Sequence, residues 1–240
     1  IILNSTYGLS NDENSFLYDP EFTMRITING QLSLSMLYEM ICEEIPGAIP
    51  LMQNTDGLET IIPKDKIDKY MEICARWEKL TRLELEHDRY SKIILGDVNN
   101  YIAITEDGKS KCKGRFEYDN LALHKNKSFL IIPKALHAYF VDGIKPEVFL
   151  QYNKDIFDYC GGVKIKGDWK FVEHFVQEQE YNIAPLQHTI RYYISNTGSK
   201  IVKTNLLDGR EIQVESGKWL QTVFIDYVNK PFEDYNINYD

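Results

Sequence analysis

A carboxylate held at the tip of two paired strands can present its oxygens to a divalent cation with little loop freedom, as metal-assisted phosphoryl transfer demands. Asp56 has that setting. The apolar run Ile49 to Gln53 meets Asn54-Thr55-Asp56-Gly57 and then a second run, Leu58 to Ile62, the pattern of a β-hairpin. The same residues carry a plainer reading, because Asp-Gly between apolar strands is a favoured turn dipeptide whatever its chemistry. A second constellation is Lys109, Lys111, Lys113 and Arg115. Alternate residues of a strand project to one face, so cations at these positions form a row suited to the phosphates of a duplex; an edge strand guarded by solvated lysines is the competing account. Lys125, Lys127, Lys134, Lys164, Lys166 and Lys170 can lengthen such a track, although nothing in their spacing requires it.

Other chemistries lack support. His87, His124, His137, His174 and His188 are isolated, with no HExxH and no pair at the helical spacing of metal ligands. Cys42, Cys74, Cys112 and Cys160 lie far apart without a CxxC pair, which argues against a zinc site or a disulfide framework and fits reduced thiols in the cytoplasm. No GxSxG, Walker or GxGxxG run occurs, so hydrolase and dehydrogenase readings fall away. A net charge of −9 excludes wholesale wrapping by nucleic acid but not a local basic stripe. No apolar run reaches the roughly 18 residues of a membrane span. The sequence opens at Ile1 without an initiator Met or targeting signal, from which a longer parent protein is expected.

The elements that must position these residues follow from periodicity. With 240 residues, 43% apolar, the chain can build one core or two small ones. Asp19 as cap, Pro20 in the first turn and the stripe Ile26, Gly30, Leu34, Leu37, Ile41 predict a helix over residues 19 to 45, ended by Pro46-Gly47. Ile67, Tyr70, Met71, Cys74 and Trp77 predict an amphipathic helix from Asp65 to Lys79. Alternation predicts strands at Arg82 to Glu86, Lys92 to Leu95 and Tyr101 to Thr105. Beyond the turn-rich stretch near Asp119, short helices are expected at Pro133 to Phe140, Ile156 to Tyr159 and Trp169 to Glu180. From Thr189 to Ile225, turn residues at Asn196-Thr197-Gly198, Asp208-Gly209 and Ser216-Gly217 describe a meander of about four strands. The fold class is α+β: an antiparallel sheet packed by helices over residues 1–118, then a mixed α/β lobe with a β meander over 119–240.

Asn4-Ser5-Thr6-Tyr7-Gly8 and Asn54-Thr55-Asp56-Gly57, separated by one long helix, resemble two motifs of the family B DNA polymerases: the "NSxYG" end of motif B, and motif C, usually "DTDS" between two strands. Asp97-Val98-Asn99-Asn100-Tyr101 falls where that family has its "KxY" element, and Lys111-Cys112-Lys113-Gly114 where a basic stretch precedes the thumb. The Tyr- and Asn-rich runs Arg191-Tyr192-Tyr193-Ile194-Ser195 and Asp234-Tyr235-Asn236-Ile237-Asn238-Tyr239 are similar in flavour to bacteriophage members. The match spans nearly the whole chain, closest before residue 120.

The resemblance implies that residues 1–118 are the carboxy-terminal part of a polymerase palm and 119–240 the thumb with a carboxy-terminal β region. It implies that Asp56 holds catalytic Mg²⁺, that Asn4, Tyr7 and Gly8 border the nascent base pair and the incoming nucleotide, and that Tyr101 with the Lys109 to Arg115 row grips primer-template DNA. Asn54 stands for the family's first Asp, Gly57 for its Ser, and Asn99 for the Lys of "KxY". Partners are then primer-template DNA, deoxynucleoside triphosphates and an amino-terminal polymerase portion carrying motif A, without which the fragment is expected to be inactive; no membrane is involved, and the host cytoplasm is the expected location. Residue chemistry alone leaves open Tyr101 as ordinary strand packing, a ring of Tyr7 packed in a core beside a helix closed by Gly8, a catalytically decayed DNA-binding module, and a protein-binding accessory domain.

Overall fold

The structure, a computed structural model, describes residues 2–122, 125, 127–177, 180–215 and 221–239, the side chains of residues 2–4 and 177 excepted. It is an α+β protein in which the described strand pairs run antiparallel. The chain divides into two units, residues 1–110 and 111–240. The sequence places that junction at 118/119.

The first unit opens with α1 (Ile2–Ser10) and α2 (Pro20–Glu44). Asp19 caps α2 as its spacing predicts: its Oδ1 accepts from the Phe22 N–H at 3.0 Å, and Pro20 occupies the first turn, where its missing N–H costs nothing. Gly47, at φ +90°, supports the reversal that follows. The hairpin of β1 (Ile49–Gln53) and β2 (Leu58–Ile61) comes next, then α3 (Ile67–Thr81). Leu37, Ile41 and Ile45 pack against Ile73, Cys74 and Trp77, and Trp77 settles its indole N–H on the Ser33 carbonyl at 2.7 Å. At the rim Glu44 takes hydrogen bonds from Arg76 and from Lys69, the latter at 3.2 Å.

The strand expected at Arg82 to Glu86 is absent. Thr81 Oγ1 accepts the Leu83 N–H and Glu78 Oε1 the Leu85 N–H, so side chains of α3 occupy the donors that a ladder needs. The chain instead becomes regular at β3 (Tyr90–Asp97), which pairs with β4 (Asn100–Thr105), followed by β5 (Ser110–Lys113).

The second unit holds α4 (Ile131–Asp142) and α5 (Pro146–Tyr152), then β6 (Cys160–Lys164), β7 (Trp169–Gln177), β8 (Glu180–Leu186), β9 (Thr189–Ile194), β10 (Lys200–Asn205), β11 (Glu211–Gln213) and β12 (Thr222–Ile225). The helix expected at Trp169 to Glu180 is the strand β7. It is laddered on both sides, to β8 and β10, and that pairing outweighs an apolar spacing that also fits a helix. Ile156 to Tyr159 form a single 3₁₀ turn. The four strands expected between Thr189 and Ile225 are present but divide between sheets: β12-β9-β6 and β11-β10-β7-β8. Gly198 (φ +114°) and Gly209 (φ +71°) occupy the expected turns, while Ser216-Gly217 lies outside the described residues.

Polar groups join these layers. On β7, Glu173 Oε1 accepts from Ser199 Oγ at 2.6 Å and from the Phe224 N–H of β12 at 3.1 Å, so one carboxylate ties the two sheets. Asp158 is buried, and it accepts from Lys134 Nζ at 2.7 Å and from Asn153 Nδ2 at 2.8 Å, fastening α4 and the end of α5 to the 3₁₀ turn. Gly161 leaves room for an aromatic ring: a Cβ there would stand 2.6 Å from Tyr192.

Two outcomes follow. Lys134→Met leaves the Asp158 carboxylate buried with an amide as its remaining neutral partner, and should cost about 3 kcal/mol in denaturant unfolding of the second unit. Arg76 first, then Lys69, holds the Glu44 carboxyl below the usual carboxylate range. The folded-state value being the lower one, this contribution is complete above the ordinary carboxylate pKa and fades as pH falls through the folded value. Glu44→Gln should therefore flatten the acid limb of a stability–pH curve.

Candidate metal and nucleic-acid site

The tip of the first hairpin is closed by its own side chains. Asn54 donates its N–H to the Gly57 carbonyl at 3.0 Å, and its Oδ1 accepts the Asp56 N–H at 3.1 Å. This is an Asx turn, which needs a short side-chain acceptor at the first position and which Asn and Asp make equally well. Gly57 keeps the loop tight, since a Cβ there would sit 3.2 Å from Asn54 Oδ1. Thr55 and Asp56 are left exposed. Asn54 is thus committed to the turn, and Asp56 is the carboxylate that the hairpin offers to solvent. Among the described residues no group of three or more His, Cys, Asp or Glu side chains could hold a metal ion. Asp56 can supply one anchor of a cation site.

The hairpin is packed into two apolar clusters. Ala48, Leu58 and Ile62 lie against the α2–α3 core. Met52 on β1 joins Tyr101 and Ala103 of β4 in a cluster flanked by Tyr90 and Ile93. The register slips between Pro50 and Met52, a bulge that bends β1 where this contact is made.

Tyr101, expected at a DNA surface, is thereby only 6% exposed. It meets the Asp56 hairpin through its buried ring. Asn99 is exposed at the tip between β3 and β4, its N–H on Asp97 Oδ1 at 2.9 Å. In α1, Tyr7 is 41% exposed and its hydroxyl lies 3.1 Å from Thr27 Oγ1 on α2, so it is not a core ring. Gly8 does not end the helix either: α1 continues to Ser10, whose hydroxyl is bonded to the Tyr7 carbonyl and to Thr23. Asn4 lies in α1, and its side chain is outside the described residues.

The basic row is shorter than alternation implies. β5 covers Ser110–Lys113, which puts Lys111 and Lys113 on one strand face. Lys109 precedes it in a turn and pairs with Asp107 at 2.7 Å; Lys109 first, then Thr105, lowers the Asp107 carboxyl from its ordinary value. Gly114, at φ +63°, turns the chain into a single 3₁₀ turn that contains Arg115, so the strand geometry is lost before that residue. Lys111, Lys113 and Arg115 are all exposed. Of the further cations, Lys134 is held by Asp158 and Lys125 by Glu117.

His87, itself exposed, meets Tyr70 edge-on, His137 meets Tyr118 likewise, His174 bonds Tyr181, and His188 is exposed; His124 lies outside the described residues. Sequence spacing gives no sign of a cavity of about 520 Å³ in the second unit, lined among others by Ile131, Ala135, Leu150, Tyr159, Ile194 and Tyr239. Its walls come from six separate stretches of chain. No helix among the described residues is long and apolar enough to cross a membrane. Comparison with protein-family models and with characterised proteins finds no match.

The turn chemistry is open to a direct check. Asn54→Ala removes the acceptor and should cost about 1 kcal/mol, read as faster amide hydrogen exchange at Asp56. Asn54→Asp, which keeps an acceptor, should preserve the protection.

Proposed function

We propose that this chain is the carboxy-terminal palm portion and thumb of a phage-type family B DNA polymerase. The observation that carries the reading is the exposed Asp56 carboxylate at an Asx-closed hairpin tip, reached from the Asn4-Ser5-Thr6-Tyr7-Gly8 helix through one long helix, α2. The order and spacing of these parts support it, as does Tyr101 following in β4.

In such an enzyme the primer 3′-hydroxyl attacks the α-phosphate of a deoxynucleoside triphosphate, forming a phosphodiester as the α–β phosphoanhydride bond breaks and pyrophosphate leaves; bound Mg²⁺ would supply charge stabilisation to the entering and leaving oxygens. Asp56 would hold the ions as one anchor. Their other anchor, in motif A, precedes the Asn-Ser-x-Tyr-Gly run in the family and is assigned to an amino-terminal portion of the polymerase. Asn54 in place of the usual Asp leaves the turn intact, because its role in the hairpin is to accept the Asp56 N–H. The exposed half of Tyr7 suits a test of base-pair shape, for which minor-groove acceptors are nearly alike in all correct pairs. Lys111 and Lys113 suit phosphates of the duplex. The host-cell cytoplasm is the setting this reading assigns.

A second reading, a DNA-binding module whose chemistry has decayed, draws on Asn99, which puts an amide where the family has a cation. One experiment separates the two. The chain is co-expressed with an upstream portion carrying motif A, and primer extension is assayed with Mg²⁺. Asp56→Asn should lower the rate by about a thousandfold, equivalent to about 4 kcal/mol of transition-state stabilisation. Extension near wild type would remove Asp56 from the mechanism. Salt-sensitive duplex binding without any extension would favour the decayed module.

A further inference from the structure

A two-stranded hairpin is marginal by itself in water, so the aim of its tip is set by whatever its strands are packed against. The β1–β2 hairpin has two such supports. Its β2 side, through Leu58 and Ile62, rests on the α2–α3 core. On its β1 side Met52, 7% exposed, joins Tyr101 at 6% and Ala103 at 0% in a separate apolar cluster. Met52 emerges at the bulge and stands four residues before Asp56 along the same strand and turn.

Resting on the polymerase reading above, we propose that Met52 and Tyr101 are positioning residues for the Asp56 carboxylate, and that Tyr101 acts on the site through its buried ring and not by touching DNA. The bulge bends β1, the Met52–Tyr101 contact fixes the bend, and the Asx turn transmits it to Asp56. A displacement of the carboxylate by a fraction of its distance to the metal alters the stabilisation of the transition state more than it alters DNA binding. Methionine fits such a cluster because its unbranched, polarisable chain adapts to its neighbours and makes favourable contacts with aromatic rings.

The test has two arms. In the 240-residue chain, amide hydrogen exchange reads the hairpin directly. Met52→Ala should speed exchange of the Asn54 amide, which is bonded to the Gly57 carbonyl, by about tenfold while the amides of α3 keep their protection. Exchange at Asn54 unmoved by Met52→Ala would overturn the proposal. In the reassembled polymerase, Met52→Ala and Tyr101→Ala should lower kcat at saturating nucleotide by about 10- to 100-fold and raise the Mg²⁺ concentration for half-maximal rate, with primer-template Kd unchanged. Tyr101→Phe and Met52→Leu should rescue both quantities. Weakened primer-template binding by Tyr101→Phe, with the Mg²⁺ response intact, would show the hydroxyl to be a DNA contact and sink the proposal. Where Tyr101→Ala does not fold, Met52→Val, which shortens the contact without removing it, is read in the same assays and decides in the same way. Full activity of Asp56→Asn would refute the polymerase reading, while the exchange arm still reports on the packing.

Discussion

A short hairpin cannot hold a side chain in place by its own hydrogen bonds; it must bury both of its strands against something larger. In the first unit that requirement is met twice over, by Leu58 and Ile62 on the α2–α3 core and by Met52 on Tyr101 and Ala103. The rest of the unit can be understood as the apparatus of those two contacts. Trp77 and its partners give α2 and α3 a fixed crossing, and the β3–β4 ladder provides the platform from which Tyr101 and Ala103 project. Only then does an Asx turn of four residues have a defined place to display a carboxylate.

The second unit uses polar groups for a comparable purpose. Glu173 accepts from both the Ser199 hydroxyl and the Phe224 amide, and so couples two sheets that share no ladder. Asp158 draws Lys134 and Asn153 to one point. Such groups tolerate burial because their hydrogen-bonding capacity is occupied, and removing one partner exposes the desolvation penalty of the other. Burial acts on Cys160 as well, pushing its thiol up to about 12, in line with a core residue and not a reactive one.

Local signals suffice where a single short-range cause decides the outcome. The Asp19 cap, Pro20, the stripe of α2, the Asn54–Gly57 turn and the glycines at 198 and 209 each depend on a few neighbouring residues, and each was legible. Such signals do not suffice where distant chain intervenes. Trp169 to Gln177 has apolar spacing that fits either period, and pairing with β8 and β10 selects the strand. Arg82 to Glu86 alternates like a strand, yet Thr81 and Glu78 take its donors. Lys109 to Arg115 alternates throughout, but Gly114 breaks the geometry before the last cation.

From the order of residues alone, the chain's helices around the first hairpin, the acidic turn and its resemblance to a polymerase motif could be stated, because capping, turn formation and periodicity act over a few residues. Tertiary structure decided which of the named residues are exposed and which are buried. Of the two readings open for Tyr101 it shows the packed one, in a cluster with Met52 and Ala103, and it leaves Tyr7, a possible core ring, exposed. Burial is a property of residues brought together from far apart in the chain, and no local pattern records which face of a strand or helix the remainder of the fold will cover.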